Sequence, residues 1–497
     1  MQVNYQVKIR HLFVSRVRNH LVDNLQQLTY EGFLKLDAGR IQNSLLGEVQ
    51  RLFQSMSAFL NSTQTSVMLI TYVFLAFLAN YQFAFFVAIG AGLSNLIYRS
   101  IYRETKSASV DLSKKGDNFN GYLVQAVQNF KYLKATNNFS VYSKKLKAVI
   151  AETEDLNKRI GFLNSITLSV KEPIIIIIVA VVILLQIKIM GSNLSSILLS
   201  LLLFYRALSF LMVVQNWWQT FIQNVGGIHA TSSISNEMAQ WKEQTSHQDF
   251  DSKRTDIKVK GAFFSYGRKR VLDDVNIVIP NKSTVAFIGE SGSGKTTLAN
   301  LLCGLIKLDE GGVFINDINL EEYNIASYRS RIGYISQEPV IFNDNIYNNI
   351  TFWAPRNIEN LNKFWRAVEL ASLKEFINDS PEQELTEVGD NGMLISGGQK
   401  QRISIARELY KDAELLILDE ATSALDSETE SLIKENIDKL HGQYTIVIIA
   451  HRLATIKEAD LIYLLDKGKV IGSGTFADML TTSSKFRKMV SLQEVSV

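Results

Sequence analysis

From Phe59 to Tyr98 the chain carries no Asp, Glu, Lys or Arg over 40 positions. That is twice what one helix needs to cross a hydrocarbon layer about 30 Å thick, so the pattern predicts two spans, 59–79 and 82–98, turning at Asn80-Tyr81-Gln82. From Pro173 to Ile228 the only charged residues are Lys188 and Arg206. This predicts a second hairpin, 163–187 and 194–217, with its loop around Met190-Gly191-Ser192-Asn193. Between the hairpins, Asp111 to Arg159 is polar with Tyr122, Val124, Val127, Phe130 and Leu133 at helical intervals, the mark of a long helical excursion outside the bilayer. Leu21 to Phe53 reads the same way. Beyond residue 253 the pattern changes to short uninterrupted apolar runs, Val285–Ile288 and Leu415–Leu418, as strands buried on both faces require. The expected architecture is two domains: an all-α transmembrane domain, 1–240, with four membrane helices, then an α/β domain, 253–497.

Charge gives the first domain a direction. Lys8, Arg10, Arg16, Arg18, Lys35, Arg40 and Arg51 precede the first hairpin, and Arg99, Arg103, Lys106, Lys114, Lys115, Lys131 and Lys134 lie between the hairpins, whereas the opposite turns hold only Lys188. The positive-inside rule puts the N-terminus, the middle segment and the α/β domain in the cytoplasm. Hydrophobic content of 46% and mean hydropathy of +0.05 average an apolar half with a soluble half. Net charge of +3 marks no nucleic-acid surface. A single cysteine, Cys303, excludes an intrachain disulfide framework and argues against a cysteine metal site. Met1 to Arg18 is too charged for the apolar core of a signal peptide.

The chemistry sits in the second domain. Gly289-Glu290-Ser291-Gly292-Ser293-Gly294-Lys295-Thr296-Thr297 follows the apolar run ending at Ile288 and opens an apolar helix, Leu298 to Leu305. Strand, glycine-rich turn and helix form a P-loop: backbone N–H groups of the turn face phosphate oxygens, Lys295 reaches the β and γ phosphates, and the Thr296 hydroxyl ligates Mg²⁺. Leu415-Leu416-Ile417-Leu418-Asp419-Glu420 is a buried strand ending in two carboxylates. Asp419 is placed for the Mg²⁺ shell and Glu420 to orient or deprotonate an attacking water. Ile395-Ser396-Gly397-Gly398-Gln399 lies between these motifs.

P-loop, ISGGQ, LLILDE, SALD and the TIVIIAH strand together resemble an ATP-binding cassette (ABC) domain, with a helical subdomain expected between the P-loop and LLILDE. The resemblance implies that Gln337 senses metal and contacts the membrane domain, that His451 touches the γ-phosphate, and that Tyr266 stacks on adenine. It implies that Ser396, Gly397, Gly398 and Gln399 close over ATP held by the P-loop of a second domain, and that Asp426 couples the two sites. With Glu420 and His451 both present, hydrolytically competent sites are expected. Ile395 stands where the family usually has Leu.

Fused to a membrane domain, such a cassette resembles a half-transporter of the exporter type, acting as a dimer, most simply of two copies, in the cytoplasmic membrane with ATP and Mg²⁺. Phe33 to Ile41 and Val127 to Asn137 look like the exporters' two coupling loops, and Thr386 to Asp390 like the loop that meets them, with Asp390 where Glu is usual. An exporter half usually has six membrane helices; the pattern here supplies the last four, as if the first two were truncated or came from another chain. Arg206, about 18 Å along its helix from Leu194, reads equally as a structural pair or as a contact for an anionic substrate. Lipids or lipid-linked glycans bearing phosphate fit the second reading. A drug or peptide exporter and an ATP-binding regulatory subunit are the alternatives; a soluble cassette ATPase conflicts with the charge-free spans.

Overall fold

The computed structural model describes residues 2–79, 81–190, 194–243, 246, 248–251, 254–419, 435, 438–450 and 456–494. They fall into two units, Met1–Glu243 and Gln244–Val497. Among the described residues the first unit is helical and the second mixes helices with two sheets, in the order of fold classes that the sequence pattern predicts.

The helical unit runs α1 (Gln2–Gln26), α2 (Tyr30–Lys35), α3 (Ala38–Asn43), a five-residue π turn (Ser44–Glu48), α4 (Val49–Ala79), α5 (Tyr81–Gln128), α6 (Phe130–Ala135), α7 (Phe139–Met190) and α8 (Leu194–Gln240). The four predicted spans lie inside α4, α5, α7 and α8, but those helices continue well past them. With 48 residues in α5 and 52 in α7, each is about 70 to 80 Å long, more than twice the hydrocarbon thickness. Pro173 lies within α7 without ending it. Ala38–Ala79 is long and apolar enough to cross a membrane. Its large side chains point outward: Ile70 and Leu78 are each 67% exposed and Phe74 60%. A helix in a soluble core would bury them; a helix in lipid has no reason to.

The short helices begin on side-chain caps. Gly32 N donates to Thr29 Oγ1 at the start of α2, and Arg40 N to Asp37 Oδ1 at the start of α3, each satisfying one orphan amide. Beyond the apolar stretches, α3, α4, α5 and α8 then pack through small residues and a polar network. Gly39 lies against Gly121, where an added Cβ would stand 2.2 Å from the Gly121 nitrogen. Gly39→Ala must therefore push α3 off α5, and a loss of about 1 to 3 kcal/mol is expected, read as a lower unfolding temperature. Arg51 pairs with Glu48 at 3.2 Å and donates to Ser113 Oγ and Ser109 Oγ, so the buried Glu48 carboxylate is compensated.

Arg40 donates to both carboxylate oxygens of Glu237 at 2.7 Å. That bond holds the Glu237 carboxyl below the usual glutamate range, while burial pushes Asp117, hydrogen-bonded to Asn43, upward. A depressed carboxyl contributes stability that is complete above the ordinary glutamate pKa and is lost as pH falls through the lowered folded value. The gap in unfolding temperature between the unmodified protein and Glu237→Gln is expected to be widest near neutrality and to close toward acid pH.

The second unit begins with the hairpin β1 (Ile257–Tyr266) and β2 (Lys269–Ile279), then β3 (Thr284–Ile288), α9 (Lys295–Leu302), β4 (Glu310–Ile315), β5 (Ile318–Asn319), α10 (Ile325–Arg329) and β6 (Ile332–Ile335). A helical subdomain follows: α11 (Ile346–Thr351), α12 (Ile358–Leu370), α13 (Lys374–Asp379) and α14 (Gly397–Tyr410). The chain then returns through β7 (Leu415–Asp419), β8 (Thr445–Ile449), β9 (Leu461–Asp466), β10 (Lys469–Gly474), α15 (Phe476–Thr482) and α16 (Ser484–Glu494). One sheet has order β2-β1-β4-β5 and the other β10-β9-β3-β8-β7-β6. In the second sheet β3, β6, β7, β8 and β9 run parallel. Every residue of β3, β7 and β8 is buried, as their unbroken apolar runs require.

Candidate phosphate site at the carboxyl edge of the parallel sheet

Because β3, β8, β7 and β6 are parallel neighbours, the segments leaving them emerge at one edge. Register makes this concrete: Phe287 pairs with Ile449 and Ile449 with Asp419, placing all three in one row across the sheet. At about 4.8 Å per strand, Asp419 lies about 10 Å from the end of β3. The P-loop leaves β3, Ala450 leaves β8, and Gln337 leaves β6 two residues past Ile335, itself paired with Leu418. Carboxyl ends of parallel strands are where open α/β sheets receive ligands.

Two glycines of the P-loop have steric reasons to be there. Gly289 has φ +148° and packs so closely on β9 that an added Cβ would stand 2.2 Å from the Leu465 carbonyl oxygen. Gly294, at φ +107°, is the N-cap of α9 and lies under the Val271 carbonyl. Lys295 is buried, its ammonium donating to the carbonyls of Gly289 at 2.9 Å and Glu290 at 3.0 Å, which arches it across the loop. Ser291 and Gly292 are exposed at the loop tip, Thr296 is exposed in the first turn of α9, and Thr297 is buried. Ser293 is 3% exposed, and among the described residues its Oγ has no hydrogen-bond partner. A buried hydroxyl left unsatisfied costs roughly 1 to 3 kcal/mol, so an orphan inside a phosphate-type loop fits a ligand oxygen.

Asp419 closes β7, is 7% exposed, and accepts a hydrogen bond from the Tyr334 hydroxyl at 3.0 Å. Gln337 is exposed in the loop after β6. The hydroxyl of Thr296, the carboxylate of Asp419 and the amide oxygen of Gln337 are hard oxygen donors, the set that suits Mg²⁺. Tyr266 ends β1 at the tip of the hairpin whose second strand touches Gly294; the residue is 42% exposed and its ring meets that of Phe264 edge-on at 4.8 Å. One face of an aromatic ring is thus available. Glu420, Asp426 and His451 lie outside the described residues.

Ser396 is the N-cap of α14 in a capping box: Gln399 N donates to Ser396 Oγ, and Ser396 N donates to Gln399 Oε1 at 2.8 Å. The Gln399 amide is therefore engaged in its own helix. Ser396 and Gly397 are exposed, and a Cβ at Gly397 would meet nothing within 4 Å. Met393 and Leu394, just before them, are 75% and 72% exposed. The start of α14 is thus uncovered in this chain and lies beside exposed apolar side chains.

Two further residues emerge only in three dimensions. Tyr334 is one, through its bond to Asp419. Arg407, in the last turn of α14, is the other: it donates to the carbonyls of Asn349 and Val340 and to Asn349 Oδ1. It also lies 5.3 Å from the Phe342 ring and 5.4 Å from Phe352. The helix that starts at Ser396 is thereby fastened to the segment that follows Gln337. Burial pulls the guanidinium below its usual pKa, and nothing in the local sequence separates this arginine from a surface one.

Comparison with known proteins gives the arrangement a family. Residues 272–423 match the profile described as "ABC transporter", and residues 2–205 that described as "ABC transporter transmembrane region". An ATP-dependent lipid A-core flippase of Coxiella burnetii is 28% identical over 97% of this chain and 83% of its own length. The protein of that name from Shewanella denitrificans is also 28% identical, over 97% and 82%. That from Wigglesworthia glossinidia brevipalpis is 41% identical over 48% of this chain and 42% of its own. Among solved structures, a bacterial Atm1-family ABC exporter with ATP bound superposes with TM-score 0.87 over 98% of this chain and 86% of that one; at 22% identity this shows the fold. With the transmembrane profile preceding the cassette profile, as the charge-free spans precede the P-loop, the chain belongs to the ABC transporters, membrane proteins whose ATP hydrolysis is coupled to transport.

Proposed function

We propose that this chain is one half of a dimeric exporter in the cytoplasmic membrane, most simply a homodimer, that hydrolyses ATP to move a phosphate-bearing lipid or lipid-linked glycan from the inner leaflet. The observation that carries the composite-site reading is the pairing, in one chain, of the P-loop around Lys295 with an exposed Ser396–Gly397 that its own fold leaves uncovered. Each supplies what the other lacks. The lipid reading is supported by the name of the relatives that align over nearly the whole chain.

The roles follow from chemistry at the sheet edge. Amides of the Gly289–Thr297 loop hold the phosphates and Lys295 lies against the β and γ groups. Tyr266 offers its free face to adenine. Thr296, Asp419 and Gln337 would hold Mg²⁺, whose bound charge offsets that building on the phosphates. Glu420 orients the attacking water and His451 donates to the γ-phosphate. Ser396 and Gly397 close the site of the opposite chain, where the start of α14 turns its positive end to the phosphates, and Asp426 couples the two sites. Arg206, on α8, is exposed and has no hydrogen-bond or ion-pair partner among the described residues, as an anion contact on a pathway requires.

The test is ATP turnover in proteoliposomes of phosphatidylcholine with rough lipopolysaccharide, phosphatidylglycerol, a hydrophobic peptide or a hydrophobic cation added in turn. Stimulation by the phosphate-bearing lipids, lost in Arg206→Gln while basal turnover persists, supports the assignment. Stimulation by the peptide or the cation alone moves it to another substrate class.

A further inference from the structure

With six residues, α2 is too short to hold itself together, so whatever fastens it decides where it lies. It is fastened to residues more than 200 positions away. Thr29 N donates to the Trp241 carbonyl at 2.8 Å and Glu243 N donates to the Gln27 carbonyl at 2.8 Å. Leu28 and Lys242 thereby face each other in a short antiparallel bridge. Gly32 lies on the indole stem: an added Cβ would stand 2.4 Å from Trp241 Cβ. The Lys35 ammonium sits 3.7 Å over the indole ring and donates to Glu31 at 2.7 Å, while Leu28 is buried in the cluster on which Trp241 packs.

Glu243 is the last residue of the helical unit. Within the nucleotide unit the chain is pinned again almost at once. Gln248 bridges to Tyr323, its carbonyl accepts from Asn324 N at 2.7 Å, and Phe250, 4% exposed, packs edge-on against Tyr323 and Tyr328. Ser246 Oγ also donates to the Glu322 carbonyl, so residues 244 and 245 alone separate the two anchorages. The three Cα–Cα steps from Glu243 to Ser246 reach at most about 11 Å, too short for a flexible tether.

We propose that Trp241 is a positioning residue for coupled transport. The clamp it forms with Leu28, Gly32 and Lys35 makes the exit of α8 and helix α2 one body, so that a displacement of the nucleotide unit is delivered to α2 along the covalent chain. This rests on the ATP-driven transporter reading above, and not on the identity of the substrate.

Hydrogen exchange on the full-length protein, with and without AMP-PNP, reads the connection directly and needs no transported molecule. In the unmodified protein and in Trp241→Phe, AMP-PNP is expected to change exchange of the amides of residues 29–36. In Trp241→Ala that response falls at least about threefold, while the KM for ATP and the exchange of α9 and β3 stay as in the unmodified protein, which separates lost coupling from general damage. Facing residues of a non-hydrogen-bonded antiparallel pair stand about 4.5 Å apart at Cα, within disulfide range. Adding Leu28→Cys and Lys242→Cys to Trp241→Ala, in a Cys303→Ala background, is therefore expected to restore the response when oxidised and lose it when reduced. A full-sized response in Trp241→Ala, no recovery on oxidation, or no response in the unmodified protein would each overturn the clamp. Failure to bind AMP-PNP at all would overturn the ATP reading, and the clamp with it.

Discussion

Lys295→Ala is expected to lower ATP turnover by at least about 100-fold, the usual consequence of removing one fixed donor from charge that builds up in a transition state. The ammonium is buried and already arched over the loop by two carbonyls, so little of its binding strength goes into ordering a long side chain. The same geometry forecasts a stability effect. Without the ammonium, the carbonyls of Gly289 and Glu290 lose a charged donor, and about 1 to 3 kcal/mol of destabilisation is expected. Both quantities belong in the measurement: initial ATPase rates for the first, and the unfolding temperature without nucleotide for the second. A rate within threefold of the unmodified protein would remove Lys295 from the site.

The P-loop and the buried strands were legible because their signals are local. Gly289 to Thr297 carries its strand, turn and helix within about twenty residues, and Leu415–Leu418 is apolar at every position, which a strand buried on both faces needs and a half-exposed one does not. The predicted spans fall on the helices α4, α5, α7 and α8, and apolarity on every face is what lipid would require of such helices. Helix ends were not legible. A stretch expected over 82–98 is the first part of a helix running to Gln128, because apolarity marks where a helix meets lipid and not where it stops. Past Tyr98 the same helix is held by Ser109, Ser113 and Gly121, small and polar residues whose role depends on what lies opposite.

Contacts between distant residues explain the remaining gaps. Trp241 reads as an ordinary aromatic at the end of a helix until Leu28 and Gly32 are placed beside it. Arg407 reads as surface charge until Asn349 turns two oxygens toward it. A local contact adds to the reading of Gln399: besides the role the family resemblance implies, its side-chain amide oxygen accepts from Ser396 N, three residues earlier, on the cap of its own helix. That cap orders the start of α14, so Gln399 has a structural reason to be glutamine in the isolated chain.

Two inactive variants are expected to restore each other when they share a dimer. Gly397 occupies the first helical position of α14 with open space where a side chain would go, and a carboxylate at a helix start is favourable, so Gly397→Asp should fold at least as well as the parent. In the composite site that carboxylate faces the phosphates of ATP on the opposite chain, and turnover should fall by at least about 100-fold. A chain with Lys295→Ala keeps an intact Ser396–Gly397, and a chain with Gly397→Asp keeps an intact P-loop. Under two-fold symmetry a mixed dimer holds one site with both lesions and one with neither. Isolated through two different tags, mixed dimers should therefore recover up to about half the parent rate where each homodimer shows almost none. Were Lys295 and Gly397 to serve one ATP within the same chain, every site in the mixture would carry one lesion, and mixed dimers would be as inactive as their parents. The comparison of mixed and unmixed dimers decides between the two arrangements without knowledge of the transported substrate.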